Sequence, residues 1–219
     1  MLRPDGIRAV CAALESRYGS PRHGNKANPL DELVFIILST RTQDRSFRRT
    51  FLRLKSAYPS WRPVTNRSRR RIEIVLAPGG LGRLKAAQLL AIFGTLRAVF
   101  GYATLAPLRH FSDDEAEAFL TSLPGVGRKV AKCVLMYSQG RAVLPVDVHV
   151  HRVSARLGLR VKRRPDTSQD LIEAAVPPRF RYSFHVNAVA HGRTLCLPRR
   201  PKCQACPVKR YCAFFRERS

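Results

Sequence analysis

Four of the six cysteines fall within the last 24 residues, and their spacing constrains this chain more than any other sequence feature. The spacing is C-x6-C-x2-C-x5-C, with the thiols at Cys196, Cys203, Cys206 and Cys212. Four thiolates in a 17-residue stretch can close around one metal centre, and sulfur is a preferred ligand of zinc and of iron–sulfur clusters. The spacing alone leaves zinc and a [4Fe–4S] cluster as equal candidates, and a pair of disulfides is the weaker alternative in a reducing compartment.

The other two cysteines, Cys11 and Cys133, fall in helical patterns and are predicted to be buried small apolar residues. The longest apolar run, Leu33 to Leu38, has six residues and is too short to span a membrane. The first five residues lack the apolar core of a secretory signal. We therefore expect an intracellular protein that does not contact membranes.

The hydrophobic periodicity predicts an all-α fold without strands of useful length. Asn28 followed by Pro29 is typical of a helix start, and Ser112 with Glu115 three residues later forms a capping box. The predicted helices span residues 30–40, 44–57, 67–76, 84–100, 112–123, 128–137, 148–157, 168–176 and 181–192.

The chain carries 40 Lys and Arg residues against 15 Asp and Glu residues, a formal net charge of +25. Eleven basic residues and one acid lie between Arg41 and Arg71, and six basic residues and no acid lie between Arg152 and Arg164. Each run taken alone is typical of a solvated helix face. Together, on a chain that is 45% hydrophobic, they favour a globular protein that binds a polyanion.

A glycine-rich turn, Leu123-Pro124-Gly125-Val126-Gly127, lies between two predicted helices and is followed by Arg128 and Lys129. Such a turn can present backbone N–H groups to a phosphate at a helix N-terminus, although it can also be an ordinary corner between helices. The positive end of the helix dipole and burial both lower the pKa of a lysine in the first helical turn. The neutral amine that results can act as a nucleophile. Its simpler role is a phosphate contact.

Asp147 follows Lys129 by 18 residues and precedes the helix predicted from Val148. The position predicts a helix N-cap. A capping carboxylate is held in a fixed place, so capping and a catalytic role are compatible.

Three motifs in this order resemble those of endonuclease III, a family of helix-hairpin-helix DNA glycosylases. They are LPGVGRK ending at Lys129, VDVHVHR beginning at Val146, and the C-terminal cysteine pattern. The resemblance covers about residues 28 to 212, and further matches occur at Leu38-Ser39 with Asp44, at Gly80-Leu81 with Lys85-Ala86, and at His191-Gly192-Arg193.

The resemblance implies base-excision repair by a bifunctional DNA glycosylase and AP lyase that removes oxidised pyrimidines. The damaged base would be flipped out of the duplex, because the sugar C1′ cannot be reached in the stack. Lys129 would attack C1′ and displace the base, which leaves a Schiff base that undergoes β-elimination. Asp147 would take the amine proton and stabilise the positive charge that develops on the sugar.

The resemblance also implies a set of DNA contacts and a monomeric protein bound to double-stranded DNA with a damaged base or an abasic site. The hairpin would hold a backbone phosphate, with or without a monovalent cation. Leu81 would wedge into the duplex, and Arg41 would fill the gap left by the flipped base. The residues expected to contact DNA are Arg41, Leu81, Gly125, Val126, Gly127, Arg128 and His149.

For the four C-terminal cysteines, the resemblance selects a structural [4Fe–4S] cluster. It further implies two helical domains that flank a DNA-binding cleft. Residues 22–141 would form a six-helix barrel with the helix-hairpin-helix, and residues 1–21 with 142–219 would form a discontinuous helical domain that carries the cluster loop.

The sequence departs from the family pattern at Arg41, where glutamine is usual, and at Tyr137 and His151, where smaller or apolar residues are commoner. These changes affect the expected lesion range more than the expected reaction. One alternative is a glycosylase for 8-oxoguanine or a mismatched base, although adenine-mismatch enzymes use a glutamate where this chain has Phe35 to Leu38. The other is a non-catalytic iron–sulfur protein that binds damaged DNA.

Overall fold

A computed structural model of the chain describes residues 4–19, 21, 25–40, 44–79 and 82–218. The predicted all-α class is confirmed, because the described residues form helices and turns with no strand among them. The α-helices within these ranges are α1 (Pro4–Tyr18), α2 (Pro29–Ser39), α3 (Asp44–Ala57), α4 (Arg69–Leu76), α5 (Gly82–Phe100), α6 (Asp113–Ser122), α7 (Arg128–Gln139), α8 (Val148–Leu157), α9 (Pro165–Ala175), α10 (Arg181–Thr194) and α11 (Ala213–Arg216).

Several helix ends follow from local side-chain chemistry. The Asn28 side chain accepts hydrogen bonds from the first backbone N–H groups of α2, and Ser112 forms a reciprocal capping box with Glu115 at the start of α6. Helix α9 begins at Pro165, three residues before the predicted start, because proline is pre-organised for the first helical position. Gly140 and Gly158 end α7 and α8 in the left-handed conformation.

The chain divides into two compact units, one made of residues 24–140 and the other of residues 1–23 with 141–219. The first unit contains α2 to α7, in which α2 packs against α7 and α4 packs against α5. Buried aromatic rings contribute to its core: Phe35 contacts Phe47 and Phe51 edge to face, and Trp61 lies against Phe93.

The second unit contains α1 and α8 to α11, and α10 packs against both α1 and α8. Its apolar core includes Leu14 from α1, Val150 from α8, Ile172 from α9 and Phe184 from α10. Cys11 lies in this core, and Cys133 is buried in the other unit, so the prediction of two buried structural thiols is confirmed.

Candidate active site

The glycine-rich turn joins α6 to α7 and places Lys129 in the first turn of α7. Gly125 has a φ of +69°, the left-handed region that glycine adopts without a steric penalty. Gln88 on α5 supports this turn, because its Nε2 donates to the carbonyl oxygens of Pro124 and Gly125, each at 3.1 Å. Gly127 in an extended conformation is the N-cap of α7.

The side chains expected to contact DNA differ in what they can offer within this hairpin. Val126 is 5% exposed, so its side chain belongs to the core, and its backbone N–H donates to the carbonyl oxygen of Leu123 at 3.1 Å and closes the turn. Arg128 Nε donates to Glu117 Oε1 at 2.6 Å, and its side chain is 37% exposed. The guanidinium is thus held beside the turn by a carboxylate of α6.

Lys132, one helical turn after Arg128, lies with its Nζ 3.0 Å from the other oxygen of Glu117. The carboxylate of Glu117 therefore bridges two cations of α7, and the Lys132 side chain is only 7% exposed. Neither this bridge nor the support by Gln88 was visible in the sequence pattern, since both depend on how α5 and α6 pack around the turn.

Lys129 itself is half-buried, and a buried carboxylate lies in its electrostatic environment. This carboxylate belongs to Glu32 on α2, which is 0% exposed. Burial raises the pKa of Glu32 above its ordinary value of 4.5, against the opposing effect of hydrogen bonds and of the positive charges of Lys26 and Lys129. The sequence predicted no role for Glu32, which lies three residues before the stretch Phe35 to Leu38 where adenine-mismatch enzymes have a glutamate. Glu32 follows Asp31 in the first turn of α2, where acidic residues are common, so no local pattern marked it.

Lys85 on α5 is a buried cation with a structural partner. Its Nζ donates to the carbonyl oxygen of Leu38 at 2.7 Å in the last turn of α2, where a positive charge complements the helix dipole. Burial lowers the pKa of Lys85.

In the unit of residues 1–23 and 141–219, Asp147 is the N-cap of α8 as predicted. Its Oδ1 accepts from the backbone N–H groups of His149 at 2.9 Å and Val150 at 2.8 Å. Since both bonds end on Oδ1, the cap does not require the second carboxylate oxygen. Asp147 is half-buried, so the cap fixes a carboxylate that solvent can reach.

The extended segment before Asp147 is held by side chains of α9 and α10. Glu173 accepts from the backbone N–H of Leu144, Gln169 accepts from that of Val146, and His185 Nδ1 lies 2.8 Å from the carbonyl oxygen of Pro145. These polar groups are buried, and their partners lie 23 to 40 residues away in the chain. Sequence reasoning did not identify them as the supports of Asp147.

His149 lies beside Arg152 on α8, with its Nδ1 3.1 Å from a guanidinium nitrogen that also donates to the carbonyl oxygen of Gly192. Burial is the main cause that lowers the pKa of His149; nearby Asp147 opposes this effect, and Arg152 and Arg193 reinforce it. A neutral imidazole fixed in this way can accept or donate a hydrogen bond without carrying charge.

The four C-terminal cysteines line one pocket together with Arg156 and His191. Arg156 donates to Cys196 Sγ at 3.3 Å and to the carbonyl oxygens of the two following residues, and His191 Nε2 lies 3.5 Å from Cys206 Sγ. Burial raises the pKa of Cys206 to about 11, and repulsion by the neighbouring thiolates adds to it. A cationic metal centre would relieve the repulsion among these thiolates, and hydrogen-bond donors beside the sulfur atoms are typical of such centres. In the described part of the chain, no three His, Cys, Asp or Glu side chains stand in a geometry that holds a single metal ion.

Two of the residues expected to contact DNA, Arg41 and Leu81, lie outside the described residues. Of the residues that depart from the family pattern, His151 has its Nε2 2.9 Å from the carbonyl oxygen of Lys162. This contact links α8 to the loop before α9. None of the described helices is long and apolar enough to span a lipid bilayer.

Comparison with known proteins is decisive for the class. Residues 34–178 match the HhH-GPD superfamily base excision DNA repair protein family, and the chain belongs to this family. The predicted resemblance to endonuclease III is confirmed. Endonuclease III of Thermotoga maritima is 30% identical over 90% of this chain and 89% of its own length, and that of Treponema pallidum is 28% identical over 97% of each chain.

Solved structures extend this likeness to the fold. A structure described as a non-covalent Endonuclease III–DNA complex is 25% identical and matches with a TM-score of 0.81 over all of this chain and 99% of its own. A thermostable thymine-DNA glycosylase, 18% identical, matches with a TM-score of 0.80 over 97% of this chain and 98% of its own, which concerns the fold alone. The protein is thus a base-excision repair glycosylase that resembles endonuclease III.

Proposed function

We propose that this protein is a bifunctional DNA glycosylase and AP lyase that removes oxidised pyrimidines from double-stranded DNA, with Lys129 as its nucleophile. The observation that carries the proposal is the place of Lys129, in the first turn of the helix that the glycine hairpin opens. A member of this family with an amine at that place can hold a DNA backbone and attack the adjacent sugar.

The reaction proceeds in two parts. The Lys129 amine attacks C1′ of the flipped nucleotide, the bond from C1′ to the base breaks, and the base leaves with a proton. The sugar ring then opens to a protonated imine between Nζ and C1′. Loss of a proton from C2′ expels the 3′ phosphate by β-elimination, and water releases the lysine. Asp147 takes the proton of the attacking amine and stabilises the cationic sugar, and the α8 cap keeps its carboxylate in place.

The backbone N–H groups of Gly125 and Gly127 bind a phosphate of the DNA, whereas that of Val126 donates to the carbonyl oxygen of Leu123. Arg128 adds a positive charge beside the phosphate. The same turn is a candidate for a monovalent cation. We assign His149 a DNA contact from α8. Arg41 would fill the gap that the flipped base leaves in the duplex, and Leu81 would wedge into the duplex.

Cys196, Cys203, Cys206 and Cys212 would hold a [4Fe–4S] cluster that orders the loop after α10. Thiolate ligation would add to the folding free energy that this short loop obtains from the apolar core, in which Val208 is buried. The protein should therefore be brown as purified, with broad visible absorption, and a colourless protein with stoichiometric zinc would contradict the assignment.

The test is borohydride trapping on duplexes that contain an abasic site, thymine glycol, 8-oxoguanine or an adenine mismatch, each with varied opposite bases. Wild type should form a covalent adduct on the abasic duplex and on the oxidised pyrimidine, and Lys129→Gln should form none. Lys162→Gln, which also removes one lysine charge but at an exposed position, should still form the adduct. Wild type that binds these duplexes but traps on none would favour a non-catalytic damage-binding protein. Preferential cleavage of 8-oxoguanine or mismatched duplexes would reassign the lesion.

A further inference from the structure

Glu32 is a buried carboxylate that the proposed reaction has not yet used. It lies in α2 among apolar side chains and is 0% exposed, as are Leu33 and Val34 beside it. A buried carboxylate without compensating partners costs several kcal/mol, on the order of the penalty for any uncompensated ion in a protein interior. Its partners therefore indicate what it is for.

Both carboxylate oxygens accept a short hydrogen bond from the segment just before α2. Asn25 Nδ2 donates to Oε1 at 2.6 Å, and the backbone N–H of Lys26 donates to Oε2 at 2.6 Å. These bonds fix the carboxylate in one orientation. The cations that act on it are Lys26 and, from α7, Lys129.

The contact between α2 and α7 explains how Glu32 and Lys129 come to interact within one unit. The neighbouring acid, Asp31, has quite different partners. Its Oδ1 accepts from Trp61 Nε1 at 2.5 Å and from Lys55 Nζ at 3.1 Å. Two adjacent carboxylates of one helix are thus divided between a structural contact and the environment of the proposed nucleophile.

We infer that Glu32 is a positioning residue for Lys129. The negative charge of Glu32 stabilises the cationic forms of the Lys129 nitrogen. This inference rests on the proposed function. The nitrogen carries positive charge as the resting ammonium and again in the protonated imine with C1′, and a buried anion nearby favours both. Glu32 neither touches the sugar nor needs to exchange a proton in this role.

The experiment measures the pH dependence of the single-turnover trapping rate, using the full-length protein on an abasic duplex. In Glu32→Gln the limb that rises with pH should move to lower pH by about one unit, because loss of an opposite charge leaves more of the amine unprotonated at a given pH. Asp31→Asn is the matched control on the same helix, and its profile should coincide with that of wild type.

A second variant, Asn25→Ala, keeps Glu32 in place but removes the donor to Oε1. Glu32 should then be protonated at higher pH, and the trapping profile should shift in the same direction as in Glu32→Gln by a smaller amount. Profiles of both variants that coincide with wild type would overturn the inference and leave the proposed function intact. A wild type that traps no adduct would overturn the proposed function and the inference with it.

Discussion

Replacing Gly125 by alanine should deform the hairpin by an amount that the structure allows to be estimated. The residue has a φ of +69°, and the left-handed conformation costs a residue with a Cβ about 1 kcal/mol or more. The new Cβ would also stand 2.6 Å from Gln88 Nε2. Since Nε2 is the end of a flexible side chain, the clash is relieved by moving Gln88, at the expense of its two hydrogen bonds to the turn, about 1 kcal/mol.

The expected total is about 2 kcal/mol, which for a chain of this length lowers the melting temperature by roughly 4–8 °C. Circular dichroism melting of Gly125→Ala, Gln88→Ala and the double variant gives a double-mutant cycle. In the Gln88→Ala background, Gly125→Ala should lower the free energy of unfolding only by the cost of the left-handed conformation, about 1 kcal/mol. Gly127→Ala is the control, because Gly127 has a negative φ and open space at its Cβ. Its only expected cost is the poorer capping of α7 by alanine, so its melting temperature should fall less than that of Gly125→Ala.

The reasoning is refuted if Gly125→Ala melts within 1 °C of wild type, a difference too small for the roughly 2 kcal/mol expected. It is also refuted if the cost of the substitution is the same with and without Gln88, since the contact would then play no part.

Three further perturbations have expected outcomes. Glu117→Gln should lower the melting temperature, because the partly buried carboxylate loses its charge beside Lys132, which is only 7% exposed, at a cost of about 1.5 kcal/mol; an unchanged melting temperature would contradict this. Because the pKa of Glu32 is raised above its ordinary value of 4.5, the protonated carboxyl stabilises the folded state at low pH, and this stability is lost as the pH rises. The melting temperature of wild type, measured relative to Glu32→Gln, should therefore fall between pH 4 and 7. A difference that is the same at all pH values would contradict this. Arg156→Gln removes the donor to Cys196 Sγ and to the two following carbonyl oxygens. It should speed the loss of visible absorption in chelator by about tenfold or more, since a charged hydrogen bond contributes about 1.5 kcal/mol, whereas exposed Arg160→Gln should not.

The sequence predicted those features that depend on neighbouring residues. Asn28, Ser112 and Asp147 were expected to begin helices and do so, because an N-cap needs only its own side chain and the next few N–H groups. The catalytic roles of Lys129 and Asp147 stay predictions.

Features that depend on long-range packing were not predictable. Glu32 becomes buried near the proposed nucleophile because α2 packs against α7, about 100 residues further along the chain. Gln169 and Glu173 reach back to the segment before Asp147, although their helix shows no local sign of this use. Hydrophobic periodicity predicts which face of a helix is buried, but it does not show which polar side chains are satisfied there.

The central claim, that Lys129 is the nucleophile, is tested most directly by peptide mapping of the borohydride-trapped adduct. Wild type is trapped on an abasic duplex, digested, and sequenced by mass spectrometry to find the residue that carries the reduced sugar. We expect the modification on Lys129 in the first turn of α7, with none on Lys85, a buried lysine whose pKa is lowered by burial. A sugar on Lys85, on the N-terminal amine or on any other lysine would contradict the account.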